Sequence, residues 1–173
     1  MATIAFKGNP VHTIGDLPAK GMKVPDFRLV RSDLQDARLS DFAGMVKVFN
    51  IVPSLDTSVC ALSARRFDAE IGKLSGAVLI NVSCDLPFAA SRFCKAEGLT
   101  NILTLSEMRD KTFGRSYGVE MTDGPLAGIL SRAVVVAGAD DRVIYTEQVP
   151  EIGKEPNYEA ALEAVRKALS GAR

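Results

Sequence analysis

Residues 46–60 read VKVFNIVPSLDTSVC, Val46 through Cys60. The run Val46–Val52 is dense in branched and aromatic side chains and alternates little, the pattern of a central strand buried on both faces. Pro53 closes that run, and Ser54, Asp56 and Thr57 favour a turn followed by a helix start, with Asp56 or Thr57 as N-cap. Strand, turn and helix together open an α/β crossover. They also set Cys60 in the first turn of the helix, three residues after Thr57 and seven after Pro53. A cysteine there faces unpaired backbone N–H groups and the positive end of the helix dipole, and both favour thiolate over thiol.

Working outward, helical spacing runs from about Asp56 to Leu74, with Leu62, Phe67, Ile71 and Leu74 on or near one stripe. AVLINVS (77–83) is a second buried strand. DLPFAASRFCKAEG (85–98) reads as a capped helix, with Asp85 as N-cap, Pro87 in the first turn and Gly98 at the stop. NILTLS is a strand, and EMRDKTFGRSYG a short or irregular helix. SRAVVVA and RVIYTEQV, joined by GADD, form an antiparallel hairpin. NYEAALEAVRKAL is an amphipathic helix carrying Tyr158, Leu162, Val165 and Leu169 on one face. Upstream, TIAF and VHTI flank KGNP as a small hairpin over about residues 3–14, and FRLV is a short strand. Alternating strands and helices followed by a late hairpin predict an α/β fold with a mixed sheet, in one domain over residues 1–173. The thioredoxin-like class fits this order, as do other α/β folds.

Bulk properties narrow the function. Lys+Arg and Asp+Glu both number 21, the basic residues are scattered, and Trp is absent, so nothing favours nucleic acid or an acidic membrane surface. No apolar run approaches the ~18 residues of a membrane span. The first residues, MATIAFKGNPVHTIGD, lack the pattern of a signal peptide, and a cytosolic location is expected. In a reducing compartment, three cysteines (Cys60, Cys84, Cys94) read as packing, metal or redox residues rather than as a disulfide framework. A zinc site would need close ligand pairs; no Cys-x-x-Cys occurs, and His12 is the single histidine, read as a hairpin residue.

The neighbours of Cys60 suit one reaction. The Thr57 hydroxyl can lie on the same side of the turn and both donate and accept hydrogen bonds. A hydroperoxide needs such a partner, because one oxygen is offered to sulfur while the other departs as an alkoxide. Pro53 can wall a pocket without an N–H to compete for substrate. A cation is still missing from this local set.

The pattern Pro-x-x-x-Thr-x-x-Cys, at Pro53, Thr57 and Cys60, resembles the peroxidatic motif of the peroxiredoxins. GNPV, NIVPSLDTSVCALSARRF, DLPFAASRFCKAEGL, GPLAGILSRAVVV and EPNYEAALEAV extend the resemblance along nearly the whole chain, to the bacterial thiol peroxidases, or atypical two-cysteine peroxiredoxins. That resemblance implies a thioredoxin-like fold and assigns Cys60 as peroxidatic cysteine, Thr57 as peroxide-positioning threonine, Pro53 as pocket proline, Arg132 as active-site arginine and Cys94 as resolving cysteine. It further implies hydroperoxide substrates, thioredoxin as reductant, a homodimer, and no metal, haem or flavin. A peroxide sensor that passes its oxidation to a partner would use the same thiolate; catalytic turnover separates the two. Cys84 lies outside the two-cysteine scheme and is read as a small buried residue or, less simply, a competing thiol. From Asp85, Cys94 is about 13 Å along its helix at ~1.5 Å per residue, whereas a disulfide tolerates a Cα separation of about 4.4–6.8 Å. Local unwinding is therefore expected before the two thiols join.

Overall fold

The computed structural model describes residues 1–171. The chain opens with a hairpin of β1 (Thr3–Phe6) and β2 (Asn9–His12), paired antiparallel around Lys7-Gly8. Both turn residues have positive φ, 52° and 80°, which matches the right-handed twist of the flanking strands. Ile4 and Val11 of this hairpin pack with Met121 and Ile152 in a small cluster of their own.

The main sheet has seven strands. They are β3 (Arg28–Val30), β4 (Asp36–Arg38), β5 (Val46–Ile51), β6 (Ala77–Ser83), β7 (Ile102–Ser106), β8 (Ala133–Ala137) and β9 (Val143–Gln148), in the spatial order β4-β3-β7-β6-β5-β8-β9. The β5–β6 and β6–β7 pairs are parallel, and the remaining pairs are antiparallel. This is the mixed sheet expected of a thioredoxin-like fold. All six residues of β5 are buried, because the strand is covered on both faces.

On one face Phe49, Ile51, Ile80 and Val82 meet Phe27, Phe113 and Tyr117. The rings of Phe27 and Phe49 contact edge to face at 5.8 Å, a favourable aromatic geometry. On the other face Val48, Leu79, Val134 and Val136 are covered by α1 (Ser58–Ile71) and α4 (Tyr158–Gly171), through Phe67, Ile71, Ala161, Leu162 and Val165. Two further helices, α2 (Pro87–Glu97) and α3 (Thr112–Ser116), precede and follow β7.

Several expectations change. The 12 residues Arg31–Phe42 hold strand β4 and a single 3-10 turn (Leu39–Phe42), neither visible as a pattern, because only Ala37 of β4 is buried. Helix α1 is shorter than Asp56–Leu74, and its inner stripe is Cys60, Ala64, Phe67 and Ile71. Leu62 points outward, 44% exposed, since it lies two positions from Cys60 on a 3.6-residue repeat. Helix α2 is capped by Leu86, with no side-chain cap, so Asp85 is not its N-cap. Pro87 at the start and Gly98 at the end fall where the sequence puts them: Gly98 is left-handed, φ 66°, and the next N–H, of Leu99, reaches back to the Cys94 carbonyl at 3.0 Å.

Candidate active site

The site lies at the C-terminal ends of the parallel strands, where chain leaving a buried sheet turns back into helix. Val52 is the last buried residue of the β5 run, and its N–H still donates to the Val82 carbonyl of β6 at 3.1 Å. Pro53 is buried at the turn. Thr57 is the N-cap of α1, in extended conformation, and its Oγ1 accepts from the Cys60 N–H at 3.3 Å. The same hydroxyl donates to the Ser54 carbonyl at 3.4 Å. Of the two caps the sequence allowed, Thr57 is the one used. Cys60 is consequently fixed in the first turn of α1, fully buried against Val52, Leu55, Ala64 and Ala90.

Arg132 reaches this turn from far along the chain. Strand β8 runs antiparallel to β5 with Ala133 opposite Ile51, so the residue before β8 is delivered to the Cys60 end of the sheet. The guanidinium is 2% exposed, donates from Nη1 to Cys60 Sγ at 3.2 Å, and donates from Nε to the Ile152 carbonyl at 2.8 Å. Its own carbonyl accepts from Val149 N at 3.0 Å and from Gln148 Nε2 at 2.9 Å, which ties the arginine to β9. Among the described residues no carboxylate forms an ion pair with Arg132. A buried guanidinium is costly without an anion, so the sulfur beside it stands where a counter-charge is needed.

The remaining thiols have different surroundings. Cys94, in the third turn of α2, is half-buried and lines a surface cleft of about 450 Å³ with Ser91, Leu99 and Thr104. Burial, and next the Asp68 carboxylate, push its thiol above the ordinary range. With α2 starting at Pro87, Cys94 is seven residues from the first helical position, roughly 10 Å along the axis. Cys60, Cys84 and Cys94 are all free, and Cys60 and Cys94 sit in intact helices.

Cys84 follows β6 and packs toward the opposite side of the sheet, against the Phe49 cluster. It is not a simple apolar filler. Its Sγ donates to Glu107 Oε1 at 3.2 Å, with Lys111 Nζ at 3.7 Å. Burial, reinforced by the Glu107 charge, pushes this thiol up to about 12. Glu107 is itself buried and raised by desolvation, while its other oxygen accepts from Gly114 N at 2.9 Å. His12 lies on β2 as read, with Nδ1 2.6 Å from Asp123 Oδ2.

Two functional-looking carboxylates escaped sequence reading. Asp68 of α1 is buried and accepts from the N–H groups of Asn101 and Ile102, both at 2.8 Å. Asp85 accepts from Ser54, Leu55 and Ser83. Its position before Leu-Pro-Phe carries a helix-cap signal that hides this second use. Alongside, Ser54, Leu55, Asp85, Arg92 and Phe93 line a cleft of about 550 Å³ between the Cys60 turn and α2. No group of three or more His, Cys, Asp or Glu among the described residues is placed to hold a metal ion.

The chain as a whole resembles known proteins. Residues 19–162 match the family model described as Redoxin. The chain is similar to the thiol peroxidase of Mycobacterium tuberculosis, 53% identical over 165 residues that cover 95% of this chain and 99% of that one. It is also similar to the thiol peroxidase of Leptospira interrogans, 47% identical over 171 residues, 98% of this chain and 100% of that one. Among solved structures, the peroxiredoxin-like protein from Aquifex aeolicus superposes with a TM-score of 0.92 at 36% identity, covering 97% of this chain and 98% of that one. With the motif at Pro53, Thr57 and Cys60 embedded in a thioredoxin-like sheet, and relatives matching end to end, the chain belongs to the redoxin family, in its thiol peroxidase branch.

Proposed function

We propose that this protein is a thiol peroxidase that reduces hydrogen peroxide and organic hydroperoxides, with Cys60 as nucleophile. The observation that carries the reading is the buried Arg132 guanidinium, 3.2 Å from Cys60 Sγ, at the start of a helix whose cap is the Thr57 hydroxyl. Cys60 reacts as thiolate. Its sulfur attacks one peroxide oxygen, the O–O bond breaks, and the departing oxygen leaves as water or alcohol after taking a proton. Thr57 and Arg132 stabilise the charge that develops on that oxygen, and Pro53 walls the pocket. Cys60 is left as sulfenic acid. The Cys94 thiol then condenses with it, losing water and forming an intrachain disulfide. With Cys60 and Cys94 each held within a helix, joining them calls for local unwinding at this step. A dithiol protein, thioredoxin, returns both cysteines to thiols by exchange. The setting is cytosolic antioxidant defence by a single-domain homodimer.

The test begins with fully reduced protein and one equivalent of an organic hydroperoxide. Free thiols are blocked, and the linked peptides are identified by mass spectrometry. A Cys60–Cys94 link with Cys84 blocked is the expected result, along with sustained turnover when thioredoxin, its reductase and NADPH are supplied. A Cys60–Cys84 link would remove Cys94 from the resolving role. Peroxide left intact over unmodified Cys60 would remove the peroxidase reading.

A further inference from the structure

The turn that positions Thr57 has few backbone partners of its own, because β5 has ended and α1 has not begun. Two of its donors go to one carboxylate. Asp85 Oδ1 accepts from Ser54 Oγ at 2.7 Å, and Oδ2 accepts from Leu55 N at 2.7 Å and from Ser83 Oγ at 2.9 Å. Ser54 Oγ in turn accepts from Asp56 N at 3.1 Å, and the Ser54 carbonyl accepts the Thr57 hydroxyl. The Thr57 oxygen then receives the Cys60 N–H. A continuous chain of hydrogen bonds therefore runs from Asp85 through Ser54 and Thr57 to the backbone of Cys60. Parallel pairing of β5 with β6 makes this possible, since it brings the ends of both strands level and lets Asp85 reach sideways to the neighbouring turn. Asp85 also stands two residues before α2, the helix that carries Cys94.

We propose that Asp85 is a positioning residue for peroxide reduction: its carboxylate holds Ser54 and Leu55, and through Ser54 it orients the Thr57 hydroxyl that receives the hydroperoxide. This rests on the peroxidase reading above. Among the described residues Asp85 makes no hydrogen bond to Cys60 or Arg132, so it sets geometry and takes no part in the bonds that change. The charge on the acceptor matters, because one oxygen serves a hydroxyl and the other serves a backbone N–H and a second hydroxyl. An amide cannot reproduce this arrangement. Asparagine keeps one accepting oxygen but presents an NH2 group to the donors on the other side.

The variants are Asp85→Asn and Ser54→Ala, each measured in two single-turnover reactions of Cys60. One is oxidation by an organic hydroperoxide. The other is alkylation by iodoacetamide, which needs the thiolate but not the peroxide geometry. Displacing a reacting group by ~1 Å can cost on the order of 100-fold, so Asp85→Asn is expected to slow oxidation by about 10- to 100-fold, and Ser54→Ala, which breaks one link, by less. Alkylation is expected to stay near the wild-type rate. A purely structural role for Asp85 would loosen the turn and move both reactions together, and that result would overturn the proposal. So would wild-type oxidation rates in both variants. If Asp85→Asn does not fold, Ser54→Ala decides alone, since it removes a hydroxyl from a half-exposed loop residue. The wild-type arm is read first: absence of oxidation there would strike the peroxidase reading itself, before any variant is compared.

Discussion

Replacing Arg132 by methionine removes the guanidinium beside Cys60 while keeping a long, unbranched side chain in the same buried space. Two hydrogen bonds disappear, the 3.2 Å contact to Sγ and the 2.8 Å bond to the Ile152 carbonyl. Leaving that carbonyl unpaired costs about 1–3 kcal/mol, but a buried, charged group is removed at the same time, so the net change in folding stability is small. The effect on reaction is larger. Removing one preorganised donor from a site of developing negative charge typically costs about 10²- to 10³-fold, or roughly 2.7–4 kcal/mol of transition-state stabilisation. Cys60 oxidation is expected to slow by that factor. Arg132→Lys retains charge but not the planar fork that spans Ile152 O and Cys60 Sγ together, so it rescues only part of the loss. The assay mixes reduced protein, in a Cys94→Ser background that stops at the sulfenic acid, with hydroperoxide and quenches free thiol at intervals. A wild-type rate constant in folded Arg132→Met protein would refute the reasoning, because the nearest cation would then contribute nothing.

Further outcomes follow from the same geometry. Thr57→Val keeps the branched shape but loses the cap to Cys60 N, and is expected to lower stability by about 1 kcal/mol in chemical denaturation while slowing oxidation; no change in either would sever the hydroxyl from both roles. Because a raised pKa shrinks the thiolate fraction at a given pH, Cys94 is expected to alkylate more slowly than an ordinary cysteine at pH 8, with its rate rising at higher pH than usual. Cys84, pushed up to about 12, is expected to react more slowly than an ordinary thiol, and Glu107→Gln to speed it by removing the nearby charge. A fast Cys84 in intact wild-type protein would contradict its contact with Glu107. Hydrogen exchange is expected to be faster in α2, where only Pro87 and Ala90 are buried, than in the second half of α1, which buries Phe67 and Ile71 and is tied to Asn101 and Ile102 through Asp68. Equal protection of the two would count against the sparse burial of α2 making it the easier helix to open.

Which features were legible in the sequence follows from how far each interaction reaches along the chain. Strand, turn and helix around Cys60 are specified locally: apolar density writes β5, Pro53 ends it, and Thr57 caps α1 three residues before the cysteine it holds. The helix stop at Gly98 is equally local. Strand β4 left no readable pattern because its stability comes from pairing with β3 and not from a buried face. Leu62 was misplaced because a stripe drawn from apolar identity alone cannot distinguish an inner leucine from one exposed between Cys60 and Ala64. Arg132 is a different case: nothing near it in the chain announces a cation for Cys60, and only β8 pairing with β5 brings it there. Family resemblance named the residue, while the geometry gives the physical reason, a buried guanidinium facing sulfur. Asp85 shows the limit most clearly. Its sequence context, Asp-Leu-Pro before a helix, fits a cap so well that the local reading looks complete. The side chain instead turns to the neighbouring strand end, because two donors there, Ser54 Oγ and Leu55 N, take it as their acceptor, and Pro87 opens α2 without a side-chain cap. A polar residue with both a local and a long-range use follows whichever set of donors would otherwise be left unpaired. That choice is made by the packed fold and is invisible to any window of sequence.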